Sequence, residues 1–175
     1  MSKPLACFAA VVLAATAAPA LAQESGSVTI NSSVPAHCET STWSNLALGS
    51  LVDTATGLLL SDLGTAGATS SAGRYYCNAP STVTLAATSL TASSTVPVQD
   101  STSFANSINY VATLTWTDFS AAVASAATAT GTSFDVDQPK NGVMQLKLGG
   151  LATPNGRRPI ASDYAGSVTI TVALK

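Results

Sequence analysis

The sequence predicts an all-β protein, a sandwich or barrel of many short strands. Three observations carry that expectation. Apolar and polar side chains alternate in short runs along most of the chain, the period of a half-buried strand. Turn signals separate the runs, among them Asn141-Gly142 and Asn155-Gly156. Only 9% of the 175 residues are charged, and Ser and Thr take their place with 22 of each after residue 22. Thr favours strands, and no long amphipathic helix interrupts the pattern.

The first 22 residues read as an export signal and not as structure. Lys3 gives a positive start, residues 6–18 form an Ala-rich apolar stretch, and Ala20-Leu21-Ala22 is a small-x-small cleavage site. The mature chain is therefore expected to begin at Gln23. A lipoprotein reading of Cys7 fits poorly, because Pro4 stands where an aliphatic residue is wanted and the apolar run follows the cysteine. The Ala-rich stretch is too short to span a bilayer, and no later stretch is long and apolar enough for a transmembrane helix. The remainder suits one domain with its own core, exported and not inserted in a membrane.

The mature chain opens on Gly26-Ser27-Val28-Thr29-Ile30, and the same pentapeptide recurs as Gly166-Ser167-Val168-Thr169-Ile170. In the first copy Val28, Ile30 and Val34 keep the alternation and Ser32 interrupts it. In the second the pattern runs on through Val168, Ile170, Val172 and Leu174 to Lys175. Between them, Leu46 and Leu48 follow Trp43 and end at Gly49, and residues 58–63 make a short apolar run. Tyr75 and Cys77 share one strand face, with Tyr76 on the other. Val83 and Leu85 alternate with Thr82 and Thr84. The clearest strand covers residues 108–116, where Ile108, Tyr110, Ala112, Leu114 and Trp116 form one face. Residues 120–130 are Ala-rich and read as a short helix or a crossing loop. Phe134 and Val136 alternate with Asp135 and Asp137; Met144, Leu146 and Leu148 alternate with Gln145 and Lys147. Asn141-Gly142 is expected to turn between those last two strands, and Arg157-Arg158 reads as an exposed loop tip.

Past the leader two cysteines remain, Cys38 and Cys77, and an even count in an exported chain reads as one disulfide. A metal pair lacks further ligands, since His37 is the only histidine. The same shortage leaves a candidate acid–base residue without a partner histidine, and no Gly-x-Ser-x-Gly elbow is present. Asp135-x-Asp137 suggests calcium at first sight, but an alternating strand turns both carboxylates to solvent and no EF-hand spacing follows. Gly64-Thr65-Ala66-Gly67 lacks the Lys and the helix of a phosphate loop. Asn31-Ser32-Ser33 is formally a glycosylation sequon inside the first strand. A formal net charge of −2 argues against nucleic acid and anionic membrane surfaces as partners. The reading is of a protein with no catalytic site, cofactor or metal.

Taken together these pieces resemble an archaic chaperone–usher pilin, the group that includes spore coat protein U-like domains. The resemblance rests on Gly26-x-Val28-x-Ile30 a dozen residues before Cys38, on Leu46-Ala47-Leu48-Gly49-Ser50-Leu51, on Tyr76-Cys77, on the aromatic strand from Tyr110 to Trp116, and on the closing run Asp163-Tyr164-Ala165-Gly166-Ser167-Val168-Thr169-Ile170-Thr171-Val172. Two positions depart from it: Leu48 stands where a Phe is more usual, and Leu174-Lys175 stands where an aromatic residue closes the family's chains.

The resemblance implies an immunoglobulin-like sandwich over residues 38–175 that lacks its last strand. It implies that residues 23–37 form a donor strand, with Val28, Ile30, Ser32 and Val34 as the side chains that fill a neighbour's groove. Val168, Ile170, Val172 and Leu174 would line that groove beside the missing strand, and the Lys175 carboxylate would meet a basic residue of a periplasmic chaperone. The implied partners are that chaperone, an outer-membrane usher and neighbouring subunits of a surface pilus or fimbria active in adhesion and biofilm. Periodicity alone allows another outcome, in which both termini are ordinary strands of a closed sandwich. A second function class is a secreted β-sandwich binding module or tip adhesin, and a third is a small secreted hydrolase, for which no site is visible.

Overall fold

A computed structural model describes residues 27–39, 41–60, 69–94, 97–126 and 130–175. The expected leader, Gly26 and the run at residues 64–67 lie outside the described residues, as does part of the apolar run at 58–63. The chain divides into two units, residues 1–33 and residues 34–175. In the first, residues 27–33 form no strand and their side chains are exposed.

The second unit is built from β-strands, with no α-helix among the described residues. In chain order these are β1 (Cys38–Glu39), β2 (Thr69–Cys77), β3 (Ser81–Ala87), β4 (Leu90–Ala92), β5 (Phe104–Ala105) and β6 (Ser107–Trp116). There follow β7 (Phe119–Ala124), β8 (Thr132–Val136), β9 (Lys140–Ala152), β10 (Arg158–Pro159), β11 (Tyr164–Ala165) and β12 (Val168–Leu174). A curled, antiparallel seven-stranded sheet has the order β1-β2-β9-β6-β4-β11, with β7 also on β6. A second antiparallel sheet has the order β12-β3-β8, and β5 and β10 make a short parallel pair.

The core sits where the inward faces of the two antiparallel sheets meet. The face expected on β6 is buried throughout, from Ile108 to Trp116. It packs with Met144, Leu146 and Leu148 of β9 and with Val83, Leu85 and Ala87 of β3 in one apolar cluster. The alternation on β2 also holds, with Tyr75 and Cys77 inward and Tyr76 half-exposed. Such faces form because a strand's period of 2 sends every second residue into the core.

Three expectations need correction. The Ala-rich stretch is neither helix nor crossing loop at its start: it forms β7, paired along β6 from Trp116↔Phe119 to Val111↔Ala124. Ala121 and Val123 point inward, so a period of 2 was present but written in small side chains. Asn141-Gly142 does not turn between β8 and β9, which belong to different sheets. It lies inside β9 opposite Tyr76 and Tyr75. Gly142 is needed there because a Cβ would run into the Thr117 methyl at the two-residue β6–β7 turn. Arg157-Arg158 is not a bare tip, since Arg158 enters the parallel pair with β5. Asn155-Gly156 does turn, with φ of 58° and 68° at the two residues, the left-handed backbone that Asn and Gly tolerate.

Cys38 and Cys77 are bridged, and they face each other directly in the β1–β2 ladder. The bridge ties a strand of two residues to the main sheet. Replacing both cysteines by Ser is expected to lower the unfolding free energy by about 3–4 kcal/mol, the loop-closure value for a bridge of this span. Urea denaturation of the oxidised parent and the double variant measures it.

Candidate functional site

The candidate site lies at the edge of β12. Its whole length pairs with β3, from Val168↔Ala87 to Leu174↔Ser81, and among the described residues it pairs with no other strand. Just beyond its two ends, Thr88 N–H donates to Ser167 O at 2.9 Å and Lys175 N–H donates to Pro80 O at 3.1 Å. Antiparallel partners alternate between residues that bond across the ladder and residues that bond outward. Residues 167 and 175 therefore set the phase: 169, 171 and 173 bond to β3. Val168, Ile170, Val172 and Leu174 turn their N–H and C=O groups to the free edge. A row of unpaired main-chain groups at a sheet edge is a template for another strand.

Alongside that edge runs an open groove of about 880 Å³. Val168 and Ile170 form one wall, Leu146 and Leu148 of β9 the floor, and Leu46, Leu48 and Leu51 the far wall. Val172 packs on the core without lining the groove, and Leu174 is 40% exposed. Of the four β12 residues expected to line a groove, the structure thus puts two in it and two beyond it.

The far wall is not a strand. Residues 44–51 belong to no named strand, although Leu46 and Leu48 keep the expected alternation, and Leu51 is half-buried out of that phase. Side chains hold this segment to β2 instead. Tyr75 OH donates to Ser41 O at 3.0 Å, Trp43 Nε1 donates to Tyr75 OH at 3.0 Å, and Ser70 Oγ donates to Ser44 O at 3.0 Å. Trp43, Tyr75 and Trp116 continue into the core as tilted and edge-on ring pairs. At the other end of the groove Tyr110 OH donates to Ser167 O at 3.1 Å, fixing the start of β12 to β6. Burial pushes the Tyr110 phenol above its usual pKa, so it stays a donor through the neutral range.

The N-terminal residues singled out by sequence are exposed: Val28 by 89%, Ile30 by 88% and Val34 by 83%, with Ser32 exposed beside them. Residues 27–37 form no strand, so the sequon at Asn31 lies in an exposed, strandless stretch. The root of this segment carries a contact that the sequence did not reveal. The Asn78 side chain accepts from His37 N–H at 2.7 Å and donates to Pro35 O at 2.9 Å. Nothing local in Asn78-Ala79-Pro80 says that the Asn78 amide reaches back across 43 residues.

Among the described residues no group of three or more His, Cys, Asp or Glu side chains could hold a metal ion. Asp135 and Asp137 face solvent as expected, and both meet Lys175 Nζ, at 3.1 and 2.7 Å. That contact pushes the Lys175 ammonium above its usual pKa and ties the end of β12 across β3 to β8. His37 is exposed beside the bridge. Among the described residues no helix is long and apolar enough to cross a membrane. The chain matches no protein-family model, no curated protein and no solved structure.

Amide exchange tests the edge. The N–H groups of Thr169, Thr171 and Ala173 are expected to exchange about 100-fold or more slowly than those of Ile170, Val172 and Leu174. Equal protection along β12, in a sample shown to be monomeric, would mean that its second edge is covered.

Proposed function

We propose that this chain is the structural subunit of a surface fibre and assembles by strand donation. The segment bearing Val28, Ile30, Ser32 and Val34 leaves its own subunit, lies along β12 of the next and fills the groove. Before assembly a strand of a periplasmic chaperone occupies the same edge, and an outer-membrane usher passes subunits outward. The observation that carries this reading is the edge of β12, unpaired among the described residues, beside an open groove of mixed polar and apolar lining into which Val168, Ile170, Leu146 and Leu148 contribute apolar surface.

The chemistry of the two parts is complementary. An incoming strand would satisfy the main-chain groups of Val168, Ile170, Val172 and Leu174, and its alternate side chains would enter the groove. Val28, Ile30 and Val34 have the matching period and are exposed over more than four-fifths of their surface. Fully burying side chains of this type is worth about 1.5–3 kcal/mol each, which is ample drive for association when several act together. One further detail supports an immunoglobulin-like sandwich as the parent fold. Tyr164, just before the last strand, donates from its hydroxyl to Ile160 O at 3.0 Å, four residues upstream. Sandwiches of that class carry a similar tyrosine corner.

The test uses the mature chain refolded from denaturant. Ile30→Asp puts a carboxylate where an apolar knob is needed, and the polymer yield is expected to fall at least about tenfold. A free peptide of residues 23–37 in molar excess is expected to cap the parent chain and stop growth, read by light scattering. Undiminished polymer from Ile30→Asp, with no effect of the peptide, would falsify strand donation.

A further inference from the structure

A donor strand tethered to its own acceptor groove faces a choice between that groove and a neighbour's. β1 runs antiparallel to β2, so the chain traced backwards from Cys38 continues past the end of β2 at Cys77. Asn78 N–H donates to His37 O at 3.1 Å and extends the ladder by one step. The Asn78 side chain then replaces the missing partner strand, bonding His37 N–H through Oδ1 and Pro35 O through Nδ2. Two residues further on, Pro80 O accepts from Lys175 N–H. The root at residues 35–37 therefore passes the C-terminal end of β12. The groove opens further back, beside Val168 and Ile170.

From Lys175 back to Ile170 is about 17 Å of extended chain, and six extended residues span about 20 Å. Residues 28–33 are thus long enough to return into the groove of the same molecule. The return requires a reversal within residues 34–37. The Asn78 side chain ties two of those four, Pro35 and His37, to the end of β2, and Pro35 biases Val34 toward extended backbone.

We propose that Asn78 is a positioning residue that denies the donor segment its own groove and so commits it to a second copy of the chain. The proposal rests on the strand-donation reading. Loss of both side-chain bonds in Asn78→Ala frees the root to turn. At fixed protein concentration the ratio of monomer to polymer is expected to rise about 5- to 30-fold, the population shift that hydrogen bonds of ordinary strength control. Asn78→Asp keeps the acceptor for His37 N–H, loses the donor to Pro35 O, and falls between. A cysteine pair made by Ile30→Cys and Ile170→Cys, oxidised at low concentration, is expected to close within one chain when Asn78 is Ala and between chains when it is Asn.

A purely structural role is separated by the donor-dead Ile30→Asp chain. Its affinity for the peptide of residues 23–37 should agree within about twofold with and without Asn78→Ala, because Asn78 does not line the groove. Parent-like polymer and interchain links from Asn78→Ala would overturn the proposal, and so would weakened peptide binding, which would make Asn78 a part of the groove. If the Ile30→Asp chain with Asn78 intact takes no peptide, strand donation itself fails and this role falls with it.

Discussion

A β-strand has two hydrogen-bonding edges, and among the described residues β12 pairs along one. That single constraint organises the rest of the molecule. Unpaired main-chain groups are tolerable only while water reaches them. The edge must therefore stay open to water, beside a groove whose lining includes apolar side chains of both sheets and of the 44–51 segment. A chain could avoid the difficulty with a short or charged edge strand. Here the edge strand is seven residues long, carries three β-branched apolar residues and has no charge before Lys175.

An open groove needs walls that do not collapse into it. The floor is rigid because β9 is held on both sides, by β2 and by β6. The near wall is held by the full β12–β3 ladder, by Tyr110 at its start and by the Lys175 contact with Asp135 and Asp137 at its end. The far wall joins no named strand among the described residues, and its one backbone tie to a neighbouring segment there is Leu60 N–H donating to Leu51 O at 2.9 Å. It depends on Tyr75, which bonds Ser41 and Trp43 from a buried position next to the disulfide strand. The bridge and the aromatic cluster thus act on one task from two sides: they fix β2, and β2 fixes the wall.

What the sequence disclosed follows a physical line. Strands whose inward residues are large were legible one residue at a time, as on β6, β9 and β3, because burial writes a strong period-2 signal. β7 was obscured because Ala121 and Ala122 are the same residue type though one is buried and the other exposed. Asn141-Gly142 misled because its glycine answers a steric demand from Thr117 and not a turn. The alternation of Val168 to Leu174 was visible, but not which residues reach the groove, since that depends on β1 and β2 at one end and β4 and β9 at the other. The Asn78 contact was beyond reach for the same reason: it is a side-chain bond between segments far apart in the chain.

The repeated pentapeptide shows how far local preference goes. Ser27-Val28-Thr29-Ile30 and Ser167-Val168-Thr169-Ile170 are identical in sequence. The second is a strand, and the first is not. Strand propensity is mostly the fit of side chains to a pleated, half-buried surface, so it is realised only where such a surface exists. Ser167 to Ile170 has β3 beside it. The first copy has no ladder partner, and its apolar residues are left in water. The difference between the copies is then a difference in neighbours, and an unpaired edge such as that of β12 is a neighbour of the kind the first copy lacks. The two copies share the size and period of a strand, and only the one that has a ladder partner takes up the conformation.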